Sequence, residues 1–227
     1  IDIGEYERLM EDARERARAA VEDLSDVLFS DALSEYSTHF DGYAKTTIEG
    51  TIVQGILNKG SLFELNTGQE ASLVLSETPF YPEQGGQVGD VGVILGRNAG
   101  WEFEVTDTKR AGGAILHFGR CRVGPIPRFP KPLVGSMEAH YSDADLRRKQ
   151  LAEAVAIVDL DRHRYPTMKN HTATHILNWA LREVLGEHVQ QKGSLVDPEK
   201  TRFDFSHNKQ LSEDELSKIE HHVKSQI

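Results

Sequence analysis

Over residues 45–140 the apolar residues occur in short runs that are separated by turns rich in Gly and Asn. In one run Trp101, Phe103 and Val105 alternate with two glutamates, which is the period of a strand with one buried face. The other runs lie at residues 48–53, 73–75 and 114–118. Short strands with such punctuation are typical of a small antiparallel barrel or sandwich. The prolines of residues 125–132 mark a boundary or an edge of this β module, because proline lacks the N–H that an interior strand donates.

Length and composition exclude several classes of protein for this chain. The 227 residues suffice for one large domain or two small ones. No window approaches the ~18 consecutive apolar residues of a membrane span, and no secretory signal segment is visible, so no membrane partner is expected. The single cysteine, Cys121, excludes an internal disulfide and a metal site built from several thiolates, and a reducing cytoplasmic location is expected. A net charge of −10 argues against sequence-independent nucleic-acid binding over the whole surface, but it leaves a local basic face open.

The first 44 residues are predicted to form a connecting helix and a linker. Residues 6–24 carry apolar side chains at the i, i+3, i+4, i+7 spacing of an amphipathic helix. A basic arm for nucleic acid is the alternative, but acidic residues in the same segment offset its arginines. Residues 25–44 show no clear period. Because Ile1 is not an initiator methionine, we expect the chain to be part of a longer protein.

A glycine-rich loop, TPFYPEQGGQVGD, occupies residues 78–90. Gly85 and Gly86 allow positive φ angles or a close approach to another group. The loop is not a phosphate loop, because it lacks the Gly-Lys-Ser/Thr sequence and a following helix. Two interpretations remain open: a turn between strands, or a nucleotide-binding surface on which Phe80 and Tyr81 are exposed for stacking.

A helix is predicted to begin after Asn170, a good N-cap, and to end at Gly186, a good C-cap. His171 and His175 lie one turn apart and away from the apolar stripe of this helix. Two imidazoles at this spacing can hold one metal ion, although a polar first turn with two unrelated histidines fits as well. A catalytic zinc usually takes three protein ligands, so the pair needs a donor from elsewhere.

The remaining segments predict an α+β arrangement. Residues 142–157, rich in Ala, Arg and Asp, are interpreted as helix, without an assigned role. Residues 191–196 and 201–205 predict a hairpin, and Ser212 with Glu215 forms the capping box of a further helix. This helix is predicted to continue to the end of the chain, so we expect the domain to be truncated.

Four motifs in this order resemble the editing region of alanyl-tRNA synthetase and the related free-standing alanyl-tRNA editing proteins. The motifs are TPFYPEQGGQVGD (78–90), NHTATHIL (170–177), QKGSLV (191–196) and RFDFSH (202–207). The resemblance covers roughly residues 45–227. It implies an α+β fold: an N-terminal connecting helix, an antiparallel β-barrel over 45–140, and an α+β editing subdomain over 141–227 that carries the His-x-x-x-His helix.

The resemblance also implies a reaction and its residues. The family hydrolyses tRNA(Ala) that is mischarged with serine or glycine, and the parent enzyme ligates alanine to tRNA(Ala) with ATP. The implied roles are zinc ligation by His171 and His175, discrimination of the amino acid by Gln191, a position beside the metal for Thr174, and serine recognition or tRNA contact by Gly85 and Gly86. The implied partners are mischarged tRNA(Ala) and the remainder of the synthetase chain.

The chain departs from the family pattern at the metal site. The family completes that site with a Cys-x-x-x-His pair downstream of the RFDF strand, and this sequence has no such pair. Cys121 lies in the barrel segment, where we interpret it as a structural thiol. The zinc site is therefore expected to be incomplete, with weak or absent metal binding and little activity from these 227 residues alone. A non-catalytic tRNA-binding module and a free-standing trans-editing protein are the alternatives.

Overall fold

The computed structural model describes Leu33 and residues 36–57, 64–127 and 150–227. Six antiparallel strands close into a barrel in the order β10-β2-β4-β8-β7-β6. They are β2 (Thr47–Leu57), β4 (Glu70–Leu75), β6 (Gly92–Gly96), β7 (Glu102–Ala111), β8 (Ala114–Val123) and β10 (Glu153–Val158). The predicted antiparallel β module is thus confirmed as a closed barrel.

The barrel closes because alternate side chains of each strand point into one core. Phe103 and Val105 of β7 are buried, as their alternation with glutamates predicts. Trp101 and Phe80 add the largest apolar side chains to this core. Cys121 is also fully buried there, in accordance with a structural thiol, and burial raises the pKa of its sulfhydryl.

The sixth barrel strand corrects the last part of the helix predicted over residues 142–157. Residues 142–149 lie outside the described part of the chain, residues 150–152 are helical as predicted, and Glu153–Val158 form strand β10 between β2 and β6. Ala154, Ala156 and Val158 are buried, which is a period of two. Alanine favours helices by intrinsic propensity, but here its small side chain packs where the barrel closes, and tertiary packing overrides propensity. The barrel therefore extends beyond the predicted boundary at residue 140.

Two short pairs of strands lie beside the barrel. β1 (His39–Phe40) runs parallel to β5 (Glu77–Thr78), and β3 (Glu64–Leu65) pairs with β9 (Ile126–Pro127). The first prolines of residues 125–132 are thus at an edge, as predicted, and the rest of that segment lies outside the described residues. The predicted connecting helix over residues 6–24 lies outside them too.

The second half of the molecule packs two helices and a hairpin around a smaller core. A π-helical turn (Leu160–Arg164) leads into α1 (Tyr165–Leu185), followed by β11 (Gln191–Val196), β12 (Thr201–Phe205) and α2 (Glu213–Lys224). The small core contains Ala180, Leu181, Val189 and Ile219. The predicted hairpin is confirmed. No helix among the described residues has the length and apolar character needed to cross a lipid bilayer.

The ends of the helices differ in part from their predicted positions. The capping box of Ser212 and Glu215 is confirmed, but α2 ends at Lys224, with Ser225 as its C-cap, and does not continue to the last residue. Helix α1 begins five residues before Asn170. Proline in the first turn suits this earlier start, because its missing N–H would be unpaired there in any case. Instead of capping the helix, the Asn170 amide donates to the Asp197 carbonyl at 2.8 Å.

Candidate functional site

Helix α1 carries the two histidines that the sequence singles out. The rings of His171 and His175 are stacked, with centroids 5.1 Å apart and planes at 17° to each other. His175 is exposed and His171 is half-buried. This is the arrangement that residues four apart adopt on one face of a helix.

Gln87, from the glycine-rich loop of the barrel, fixes the chemical form of His171. Its side-chain oxygen Oε1 lies 2.6 Å from Nδ1 of His171. An amide oxygen only accepts hydrogen bonds, so Nδ1 carries the proton and Nε2 keeps a lone pair that can bind a metal or take a proton. Gln87 is buried and comes from a position 84 residues earlier in the chain. Gln87 is not among the site residues predicted from the sequence, and its place directly after Gly85 and Gly86 is the signal that could have identified it.

The glycine-rich loop reaches the helix because it is fastened to strand β11. The Val196 N–H donates to the Gly86 carbonyl at 2.8 Å, and the Val88 N–H donates to the Val196 carbonyl at 3.0 Å. Gly86 has φ = 85°, and a Cβ at this position would lie 2.5 Å from the carbonyl oxygen of Ser194. Glycine is therefore required for this close approach. Gly85 has φ = 62° but faces open space.

Gln191 lies at the start of β11 and contacts the same loop through Ser194. Its amide Nε2 donates to Ser194 Oγ at 3.1 Å, and Ser194 Oγ in turn donates to the Gly85 carbonyl at 3.4 Å. No described residue forms a hydrogen bond with Gln191 Oε1. Gln191 is exposed, so this oxygen is an available acceptor.

Thr174 makes contacts of a different kind. Its side chain is buried, donates to the Asn170 carbonyl at 2.9 Å, and shares a 2.7 Å hydrogen bond with Thr201 of β12. These contacts attach helix α1 to the hairpin. The structure thus links His171, Gly85, Gly86 and Gln191 through the glycine-rich loop, whereas the contacts of Thr174 go to the helix backbone and to β12.

A buried ion pair attaches the start of α1 to the barrel. Arg164 donates through Nε to Asp90 Oδ2 at 3.0 Å and through Nη2 to the same oxygen, and both side chains are almost fully buried. The guanidinium also donates to the carbonyls of Gly42 at 3.0 Å and Pro79 at 2.6 Å. Asp90 accepts the Tyr81 N–H at 2.7 Å. Breaking such a pair by removing one partner typically costs about 3–5 kcal/mol, because the other charge stays buried.

A surface pocket of about 430 Å³ lies between this anchor and the histidines. The residues that line it include Tyr43, Tyr81, Tyr165, Met168, Gln87 and His171. The prediction of an exposed Phe80–Tyr81 pair is wrong for Phe80, which is fully buried and packs edge-on against His117 with centroids 5.3 Å apart. Two residues adjacent in an extended segment point to opposite sides, so only Tyr81 reaches the pocket.

At this site the candidate metal ligands are the two histidines of α1. The described part of the chain contains no group of three His, Cys, Asp or Glu side chains placed to hold a metal ion. A catalytic zinc usually takes three protein ligands, so His171 and His175 alone do not complete such a site. Cys121 is buried in the barrel core and does not serve as the third.

The family model and the relatives that match this chain are all of tRNA synthetases. A family model described as tRNA synthetases class II (A) matches residues 1–127. Alanine–tRNA ligases are similar over the whole chain: 36% identity over 228 residues in Legionella pneumophila, 41% over 233 in Methylococcus capsulatus and 41% over 229 in Psychrobacter cryohalolentis. In each case the match covers 100% of this chain and 23% of the relative.

Proposed function

The chain belongs to the class II (A) tRNA synthetase family, and on this premise we propose that it is the editing region of an alanine–tRNA ligase. In this role it hydrolyses the ester of tRNA(Ala) that carries serine or glycine, while the parent enzyme ligates alanine to tRNA(Ala) with ATP in the cytoplasm. The chain is homologous to alanine–tRNA ligases and spans about a quarter of their length. The editing reaction is therefore assigned from the site and from the motif resemblance.

The observation that carries the proposal is the hydrogen bond between Gln87 and His171. It joins the barrel loop to the histidine helix and leaves Nε2 of His171 with a free lone pair beside an open pocket. Such a nitrogen is suited to hydrolysis, either as a metal ligand or as an acceptor for a proton from water. A loop that served only as a turn between strands would not need this contact.

A need for editing follows from the physics of selection. A binding pocket discriminates only weakly against a competitor that lacks a methyl group or carries an additional hydroxyl group. One methylene, for example, changes the binding free energy by only ~1–3 kcal/mol. A second site that hydrolyses the wrong product raises the overall fidelity. In this second site Gln191 Oε1 would accept the hydroxyl or ammonium proton of the misattached amino acid, because no described residue bonds to it.

The other residues of the site would hold these groups in place. Gly86 allows the loop to pack on β11, and Gly85 offers an open backbone to tRNA. Thr174, through Thr201, keeps helix α1 against the hairpin. Zinc, if bound by His171 Nε2 and by His175, would polarise the ester or lower the pKa of a bound water. Two imidazoles are too few, so the further donors would come from outside the described residues.

The test is deacylation of Ser-tRNA(Ala) by the natural protein that carries this chain. We expect His171→Ala to lower the rate by about 100-fold or more. The variant loses the imidazole, and with it the Nε2 lone pair that the contact between Gln87 and Nδ1 leaves available. His221→Ala is the matched control, since His221 is exposed on α2. Full deacylation by the His171 variant at stoichiometric zinc would disprove its role as a ligand.

A second candidate is a tRNA-binding module without catalysis, which needs no metal ligand beyond the two histidines that the described residues place together. Under this alternative the barrel and α1 dock the tRNA and the histidines are incidental. Zinc analysis of the natural protein separates the two: about one zinc per chain supports the hydrolase, and none, together with intact tRNA binding, supports the module.

A further inference from the structure

We propose that two histidines outside the site described above, His188 and His207, form a hydrogen-bonded pair that positions Gln191. The proposal rests on the editing function above, because Gln191 is the residue that contacts the misattached amino acid there. His188 lies in the turn after α1, and His207 follows β12 as the last residue of the RFDFSH motif. The motif resemblance gives neither histidine a role. We call their contact the histidine bridge.

The geometry of the histidine bridge is that of a direct hydrogen bond between two ring nitrogens. Nε2 of His188 lies 2.9 Å from Nδ1 of His207. The ring centroids are 5.1 Å apart, and the ring planes are inclined by 27°. The centroid separation exceeds the N–N distance by about the sum of both ring radii. The two nitrogens therefore lie close to the line between the ring centres, and the rings meet edge to edge.

This geometry distinguishes the histidine bridge from a metal site. Two imidazoles that share one ion direct both lone pairs at a third point, where the ion lies. Here the two nitrogens face each other, and within the described ranges no third His, Cys, Asp or Glu completes a ligand group. A hydrogen bond needs one N–H and one lone pair, so one of the facing nitrogens carries a proton and the other accepts it.

The bridge fixes both rings. Nε2 of His207 is buried and has no hydrogen-bond partner among the described residues, so this ring is held through its Nδ1. Gly186, the C-cap of α1, has φ = 109°, and a Cβ there would lie 3.3 Å from Nδ1 of His188. A glycine at this position lets the chain turn back and leaves room for the His188 ring.

The contacts of Ser206 join the same two segments as the histidine bridge. The Ser206 N–H donates to the Gln190 carbonyl at 2.9 Å, and the Gln190 N–H donates to Ser206 Oγ at 3.0 Å. Ser206 Oγ in turn donates to the His188 carbonyl at 3.2 Å. The turn after α1 is thus tied to the end of β12 by backbone and side-chain bonds together.

Gln191 depends on this end of the hairpin for its position. It pairs with Phe205, but the register of β11 and β12 shifts between Gln191 and Gly193. A register shift interrupts the regular ladder, so the interior of the hairpin holds Gln191 less firmly than its neighbours. His188 lies three residues before Gln191. Loss of the bridge would therefore let the start of β11 move, and the Gln191 amide would move with it.

NMR of the 227-residue chain tests the bridge without any assay of activity. Long-range ¹H–¹⁵N spectra should show a proton on one of the two facing nitrogens and a lone pair on the other. His188 is exposed, so His188→Ala removes the bridge without opening a core. We expect this variant to shift the side-chain amide signals of Gln191. His188→Gln, whose amide reaches the place of Nε2, should retain the wild-type positions.

His221→Ala, which removes an exposed histidine of α2, is the control for these spectra. Wild-type Gln191 signals in His188→Ala would overturn the proposal, as would two facing nitrogens that both lack a proton.

Deacylation of Ser-tRNA(Ala) by the natural protein tests whether the bridge acts through Gln191. His188→Ala should lower the rate about tenfold, because a hydrogen-bonding group for the substrate is displaced, and His188→Gln should retain the rate. In a Gln191→Ala background His188→Ala should have no further effect, because the two residues then act as one unit. A further tenfold loss in that background would overturn the positioning role.

The two measurements separate this proposal from the editing function. Shifted Gln191 signals in His188→Ala, without hydrolysis of Ser-tRNA(Ala) by the wild-type protein, would support the bridge and reject the editing function. Hydrolysis that His188→Ala leaves unchanged would overturn the role of the bridge and retain the editing function.

Discussion

At the scale of single residues, Gln87 determines which nitrogen of His171 is available for chemistry. Removing the acceptor in Gln87→Ala would release Nδ1–H, so the ring would populate both neutral tautomers instead of one. Changes to a group that orients a ligating histidine typically lower metal affinity or activity by about 10–100-fold, and we expect a loss of this size in Ser-tRNA(Ala) deacylation. Long-range ¹H–¹⁵N spectra of the imidazole report the tautomer directly.

The conservative variant Gln87→Glu separates orientation from simple packing. A carboxylate also accepts from Nδ1–H, so the single tautomer should persist in this variant. If Gln87→Ala kept both the wild-type tautomer and the wild-type rate, Gln87 would have no positioning role.

At the scale of elements, the contact between the glycine-rich loop and β11 holds the site together, and two adjacent glycines allow it to be tested. Alanine is strained at both Gly85 and Gly86, because both have positive φ, but only at Gly86 would its Cβ meet the Ser194 carbonyl. We expect Gly86→Ala to destabilise the fold by about 1–3 kcal/mol, and by more than Gly85→Ala. Urea denaturation of the two variants measures the difference. Equal losses would show that the close approach contributes nothing.

The same elements show which parts of the molecule could be predicted from the sequence. The alternation around Phe103 and the capping box at Ser212 are local patterns, so they predicted a strand and a helix start correctly. Strand β10 was mistaken for helix because its alanines pack only once the barrel closes. The contact of Gln87 with His171 joins positions 84 residues apart, and no local pattern encodes such a contact.

At the scale of the whole molecule, the core inside the barrel and the core of the helical half are joined by a few specific contacts. The barrel and the helical half have separate apolar clusters. Arg164 and Asp90 connect them at the surface pocket, and Gln87 and Gly86 connect them at the histidines. A site at such a junction depends on the relative position of the two halves. The hydrogen bonds of Arg164 with Asp90 and of Gln87 with His171 hold that position, because each joins a residue of one half to a residue of the other.

The stability of the whole molecule should depend on pH through His117, which lies in the barrel. Its ring is fully buried, with Nδ1–H donating to the Leu73 carbonyl at 3.0 Å and Nε2 accepting from Thr78 Oγ1 at 2.6 Å. Burial lowers the pKa of His117 from 6.5 to about 4. Above pH 6.5 the ring is neutral in both the folded and the unfolded chain, so its titration does not lower the free energy of unfolding.

Between pH 6.5 and 4 the unfolded chain binds a proton that the folded chain refuses, and the free energy of unfolding should fall by roughly 3 kcal/mol in total. Urea denaturation at several pH values in this window measures the slope, and His117→Gln, which cannot titrate, should remove it. The backbone N–H of Ser212 holds the pKa of Glu215 at about 2, so the pH dependence from Glu215 lies below about 4.5 and does not overlap most of the window. A variant with the same slope as the wild type would show that other groups cause the acid sensitivity.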